Sequence, residues 1–308
     1  MQPNVLLVIL DTVRAKSCSF HGRDRSTTPG LDRLADESVV FEHAIAPATW
    51  TLPSHAAIFT GRYPTDVGVH AENMLLPDDE ETLAKELVGE GYATGVFSSN
   101  PFLTEGSGLN RGFDCSHTSG MGLTLFEDAF DPSRYIRTRD YDQGLAKVSE
   151  LLRELAGPPH AMAKNLVNAA YYKCQTTRPR DDQDTFDPSS DDGAAESIAA
   201  FRSWVDDTDD PFFGCLNFME AHTPYRHRDR FLPEWATMED VRQLDQDRWK
   251  YLSEELELTD RRKELFEALY EAELRYLDEQ LDSLWSALRE RDLWDDTLVI
   301  VTSDHGEL

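Results

Sequence analysis

The sequence predicts an α/β fold, a mainly parallel central sheet with helices on both faces, and three observations carry that expectation. The run Val5-Leu6-Leu7-Val8-Ile9-Leu10 is apolar throughout and stops at Asp11, as a strand buried on both faces of a parallel sheet does. Similar runs return at 92–98, 212–219 and 297–302, each after a stretch of helical periodicity, and such alternation builds parallel sheets. Between Thr259 and Arg291, Leu265, Leu269, Leu274, Leu277, Leu281, Leu284 and Leu288 fall on one helical face, with acids and arginines elsewhere. This reads as a long surface helix whose leucines enter the core.

Each element then places particular side chains. Asp11 falls at the carboxyl end of the first strand, where open α/β sheets gather ligands. In the segment 48–62, Pro53 suits the first turn of a helix and Gly61 its C-terminal cap. Thr51 would lie beside that helix's N-terminus, whose free N–H groups and positive dipole end favour an anion. From the residues alone, Thr51 reads first as an ordinary N-cap and only then as a nucleophile. Asp304 and His305 follow the strand Leu298-Val299-Ile300-Val301. A carboxylate oxygen and an imidazole nitrogen there suit Zn²⁺ or Mn²⁺ better than an all-oxygen Ca²⁺ site. An isolated Asp-His pair is usually a polar turn, but parallel strands bring the end at Asp11 close to it. The acidic stretch DDQDTFDPSSDD at 181–192 lies in an insertion over 176–192, which reads as a solvated excursion and not a domain boundary. No internal repeat is visible.

Length and composition bound the function. The 308 residues allow a full core, and the hydrophobic share of 40% with 29% charged residues gives an ionic surface. A net charge of -28 with no cationic cluster makes nucleic acid a poor partner. With Lys scarce beside Arg, the acid excess reads as the solvated surface of a halophile, ahead of a merely acidic cytosolic protein. Cys18, Cys115, Cys174 and Cys215 form no close pair, so they are expected to be free thiols in a reducing compartment. The start lacks a basic signal-peptide region, and 5–10 is too short to span a bilayer. A cytoplasmic protein with no membrane segment is expected, with oligomeric state open.

Four blocks, in order, carry a resemblance: 4–11 ending at Asp11, Thr51-Leu52-Pro53-Ser54-His55 through Gly61-Arg62, Asn217 through Tyr225, and Ser303-Asp304-His305-Gly306-Glu307. Together they resemble the sulfatase family of the alkaline phosphatase superfamily and cover nearly the whole of 1–308, which is then one catalytic domain with an alkaline-phosphatase-like fold. The superfamily runs several reactions on one scaffold. The resemblance implies a metal-dependent hydrolase or transferase for phosphate, phosphonate or sulfate esters, with an anionic ester as substrate. It implies one divalent metal, Mn or Zn favoured over Ca, held by Asp11, Thr51, Asp304 and His305, and catalysis by Thr51 with His222 as hydrogen-bond donor or general acid.

The departures from the family pattern sharpen the expectation. Sulfatases carry at the position of Thr51 a Cys or Ser that is oxidised to formylglycine, and Thr cannot be converted that way. Thr51 resembles instead the nucleophile of phosphoryl-handling relatives, which attacks phosphorus in line and becomes covalently phosphorylated. A sulfuric ester hydrolase in the strict sense, or an inactive remnant that binds a partner, are the alternatives. The family's paired Asp is Asp11-Thr12 here, and its Asp-Asn is Asp304-His305, which removes oxygen donors that calcium would want. His55 stands where the family has an arginine, and 98–102 replaces a basic block, so that His55 and Asn100 are expected at the substrate, with Asn73 and His70 at the pocket rim. The sequence stops two residues after Gly306, where the family continues for on the order of a hundred residues. The expectation is therefore a fragment lacking a sheet edge and a small C-terminal subdomain.

Overall fold

Five strands form the sheet: β1 (Asn4–Leu10), β2 (Ala93–Ser98), β3 (Cys115–Thr118), β4 (Phe212–Phe218) and β5 (Thr297–Thr302). Their spatial order is β3-β2-β4-β1-β5, and every pairing is parallel. The computed structural model describes residues 2–103, 105–118, 129–130, 132, 153, 155–177 and 193–307. The acidic stretch at 181–192 lies outside the described residues. β3 was not foreseen, because Cys115-Ser116-His117-Thr118 has no apolar run. It is a strand by virtue of its pairing to β2, Gly95 opposite Cys115, at the sheet edge.

Helices cover both faces of the sheet over β1, β2 and β4, whereas β5, whose sequence run reads like theirs, is an edge strand with Leu298 and Ile300 exposed. Leu6, Val8 and Leu10 of β1 and Phe97 of β2 pack toward α6 (Ala194–Asp206) and the long α9 (Asp260–Glu290). Leu7 and Ile9, one residue out of phase, pack toward α2 (Thr51–Thr60) and α4 (Leu83–Gly89). The period-2 alternation of a strand thus feeds two separate cores from one continuous apolar run. Gly214 of β4 allows the close approach on the first face, since a Cβ there would lie 2.7 Å from the Phe201 ring.

α9 matches the expected helix, with Thr259 as a side-chain N-cap and all seven predicted leucines buried. It departs from expectation in its acids. Glu271, Glu273 and Asp278 are buried as well, and each has a partner. Glu271 meets Arg23 and Arg25, Glu273 meets Arg228, and Asp278 accepts the N–H groups of Gly30 at 2.6 Å and Leu31 at 2.8 Å. Asp278 therefore caps α1 (Pro29–Asp36) from across the fold. No helix among the described residues is long and apolar enough to cross a membrane.

Candidate metal and catalytic site

β1 lies between β4 and β5, and Ile9 is in register with both Asn217 and Thr302. The residues just past those strands must therefore meet. Asp11 and Asp304 are both fully buried. Asp304 accepts from the backbone N–H groups of His305 and Thr12 through Oδ1, at 2.8 and 3.2 Å. Asp11 accepts from Asn100 Nδ2 through Oδ2, at 3.1 Å. The other oxygen of each carboxylate, Asp11 Oδ1 and Asp304 Oδ2, is buried with no hydrogen-bond donor.

His305 completes the group. Its Nε2 lies 3.4 Å from Asp304 Oδ2 and 3.9 Å from Asp11 Oδ1. Its Nδ1 lies 2.9 Å from Gly306 O, and a carbonyl can only accept, so the proton is assigned to Nδ1 and the lone pair to Nε2. One atom from each of Asp11, Asp304 and His305 lies within 4.8 Å of the others. Two buried carboxylate oxygens without donors are costly unless a proton or a cation meets them. Burial, with Asp304 next in effect, holds the Asp11 carboxyl well above the usual carboxylate range, against the opposing pull of the Asn217 and Asn100 amides. These orphaned oxygens and the oriented imidazole suit a divalent cation that accepts mixed oxygen and nitrogen donors, and a ligating histidine held by a carbonyl is the usual arrangement.

Thr51 is the first residue of α2, and Trp50, not Thr51, occupies the N-cap position without a side-chain cap bond. The N-cap reading of Thr51 is thereby corrected. Its Oγ1 is directed instead to His305 Nε2 at 3.1 Å, at the positive end of the helix dipole. α2 ends as expected at Gly61, whose φ of +66 closes the C-terminal turn.

The remaining predicted residues divide. His55, one turn along α2, is fully buried, with Nδ1 3.0 Å from Thr51 O and 3.5 Å from Asp304 Oδ2. Burial lowers its pKa, with Asp304 pulling the other way. Asn100 is likewise fully buried. Expected at the substrate, both stand against the carboxylates and present no surface to a bound ester. Thr51, Asp11, Asp304 and His305 are brought together; Asn73 is not, its Nδ2 donating to Gly68 O at 2.8 Å within its own turn. His70 pairs with Glu72 at the surface. His222 follows β4 in a half-buried loop, Nδ1 at 2.5 Å from Thr223 O. That loop is tied to the site, since Thr223 N donates to Glu307 Oε2 at 3.3 Å and Glu307 N donates to Thr12 O at 3.0 Å.

Two contributors were missed from sequence. Asn217 lies near the end of β4, its Oδ1 accepting from Ser98 Oγ at 2.8 Å, and its amide helps hold the Asp11 pKa down. A polar side chain within an otherwise apolar strand, near its carboxyl end, was the available signal. Thr12 adopts φ +62, a region that a β-branched residue enters at a cost of about 1–2 kcal/mol. Nothing in the sequence marks it.

The sequence model of the sulfatase family matches residues 3–308. Arylsulfatase A of Bos taurus is 34% identical over 177 residues, which is 51% of this chain and 34% of that protein. A phosphonate monoester hydrolase of Agrobacterium radiobacter superposes with a TM-score of 0.65 at 20% identity, covering 99% of this chain and 63% of that one. A protein in the alkaline phosphatase superfamily from Vibrio parahaemolyticus superposes at 0.54 with 15% identity, covering 99% of this chain and 55% of that one. The match thus spans about a third of the curated relative's length and less than two thirds of either solved chain. The fold is that of the alkaline phosphatase superfamily, and with the family model matched over nearly its whole length the chain belongs to the sulfatase family.

Proposed function

We propose that this protein is a metal-dependent ester hydrolase or transferase in which Thr51 is the nucleophile, acting on phosphate, phosphonate or sulfate esters. The observation that carries the reading is the convergence of Asp11 Oδ1, Asp304 Oδ2 and His305 Nε2, with Thr51 Oγ1 3.1 Å from that imidazole nitrogen. Asp11, Asp304 and His305 would hold the cation, with Mn²⁺ or Zn²⁺ favoured over Ca²⁺ by the nitrogen donor. When bound, such a cation lowers the pKa of a neighbouring hydroxyl and neutralises developing charge on a substrate oxygen.

The protein's own residues then perform two displacements. The Thr51 hydroxyl gives up its proton to solvent and its Oγ1 attacks phosphorus or sulfur in line, forming the Thr51 ester as the bond to the leaving oxygen breaks. His222 supplies a proton to that oxygen as general acid. Water, or an acceptor alcohol, gives its proton back to His222 as it displaces Thr51 in the second step, and the freed Thr51 oxygen takes a proton from solvent to restore the hydroxyl. His55 and Asn100 take positioning roles, the one against the Thr51 carbonyl and the other against Asp11.

A metal-stripped preparation, resupplied with Mn²⁺ or Zn²⁺ and assayed on p-nitrophenyl phosphate, a phosphodiester and p-nitrophenyl sulfate, tests the reading. Activity should depend on the added metal, and Thr51→Ala should lower it by roughly a thousandfold or more while metal binding persists. A folded protein inactive on all three with either metal would overturn the proposal. Turnover of the sulfate alone would place the chain among sulfuric ester hydrolases that work through an unmodified threonine.

A further inference from the structure

Asp304 can offer Oδ2 to the site only because Oδ1 is already engaged, and one of the two donors engaging it is the N–H of Thr12. That N–H comes from a residue in the left-handed region, φ +62 and almost fully buried. A threonine holds such a conformation only where its surroundings over-determine it. They do so here. Its Oγ1 donates to Asp11 O at 2.6 Å, and its carbonyl accepts from Glu307 N and from the Tyr270 hydroxyl, both at 3.0 Å. The same hydroxyl accepts from Arg14 N at 2.9 Å, so it clasps the backbone on both sides of Val13. Tyr270 belongs to α9, 258 residues away in sequence, and is buried with its ring 4.1 Å beneath the Arg14 guanidinium.

We infer that Tyr270 is a positioning residue for the metal site, acting through the left-handed backbone of Thr12 to orient the Asp304 carboxylate. The inference rests on the metal-site reading proposed above. The long helix thereby does more than fill the core, since its Tyr270 sets the turn after β1 that meets the tip of β5. Neither Tyr270 nor Thr12 needs to touch metal or substrate. Both act by removing freedom from a ligand that must present one chosen oxygen.

Titration calorimetry of Mn²⁺ into the metal-stripped full chain, alongside thermal unfolding of the metal-free protein, separates positioning from mere structure. Tyr270→Phe keeps the ring beneath Arg14 and deletes the clasp; the Mn²⁺ Kd should rise about tenfold, the usual loss for one outer partner of a ligand. Thr12→Gly tolerates the left-handed turn but loses the Oγ1 tether, so Kd should rise about threefold or more, while the metal-free melting temperature holds or increases. A folded Tyr270→Phe with a Kd within about twofold of the parent, against the tenfold expected, overturns the inference. Should Tyr270→Phe fail to fold, an unchanged Kd in Thr12→Gly does the same. A parent chain that binds no Mn²⁺ sinks the metal-site reading itself and this inference with it, whereas a binding parent with unaffected variants sinks the inference alone.

Discussion

Single side chains in this protein are held by backbone groups far away in sequence, and Asp278 shows the energetic consequence. It sits on α9, yet its two oxygens satisfy the first free N–H groups of α1. Burial raises its pKa from 3.8 to about 6, and the two N–H donors only partly offset that. For an acid whose pKa is higher in the folded chain, stability is greatest below the unfolded value and is lost as pH climbs through the folded one. Asp278 should therefore cost the fold on the order of 1–3 kcal/mol between about pH 4 and pH 6. Subtracting the melting profile of Asp278→Asn from that of the parent should reveal a difference that changes across this window. A pH-independent difference would show that the carboxyl titrates at its ordinary value. Thr51 makes a complementary point: being first in its helix and not at the cap, it keeps a hydroxyl uncommitted to capping and directed at His305.

Among the elements, β4 and α6 pack closely at a glycine. The ring of Phe201 lies over Gly214 in the middle of the sheet, flanked by Phe97, Trp204 and Phe212 in a cluster of edge and tilted contacts. A methyl at 214 would meet Phe201 at 2.7 Å and Leu6 at 3.3 Å. Such overpacking costs about 1–3 kcal/mol, so Gly214→Ala should lower denaturation midpoints accordingly, measured by urea titration with an unchanged slope. No loss of stability would mean that α6 can ride outward freely. The same strand carries Asn217 toward Asp11, so the packing of α6 also bears on how firmly that end of the site is held.

For the whole molecule, charge is the dominant property: 58 acids against 30 lysines and arginines give a net charge of -28. Self-repulsion of that size opposes the compact state and is screened by salt, whose Debye length shrinks from ~10 Å at 0.1 M to ~3 Å at 1 M. Raising KCl from about 0.1 M to about 2 M should therefore raise the melting temperature by on the order of 5–10 °C. A flat or falling response, followed by differential scanning calorimetry, would count against the halophilic interpretation of the surface. The buried pairs on α9, such as Arg228 with Glu273 at 3.0 Å, should be little affected, since solvent ions reach them poorly.

Much of this architecture is written in local patterns. The unbroken apolar run of β1 and the leucine spacing of α9 specify the elements and their class, because burial on two faces or on one helical face imposes a period on the chain. Asp11, Thr51, Asp304 and His305 could be named in advance, because they stand at strand or helix ends in blocks with a familiar order. Other features depend on contacts that no local pattern encodes. β3 exists because β2 pairs with it, and His55 and Asn100 are turned inward against carboxylates from other elements. Asn217, Tyr270 and the left-handed Thr12 gain their roles from distant chain segments, Thr12 and Asp304 being 292 residues apart. Periodicity reports which face of an element is buried; the partner of a buried polar atom is set only when the faces meet.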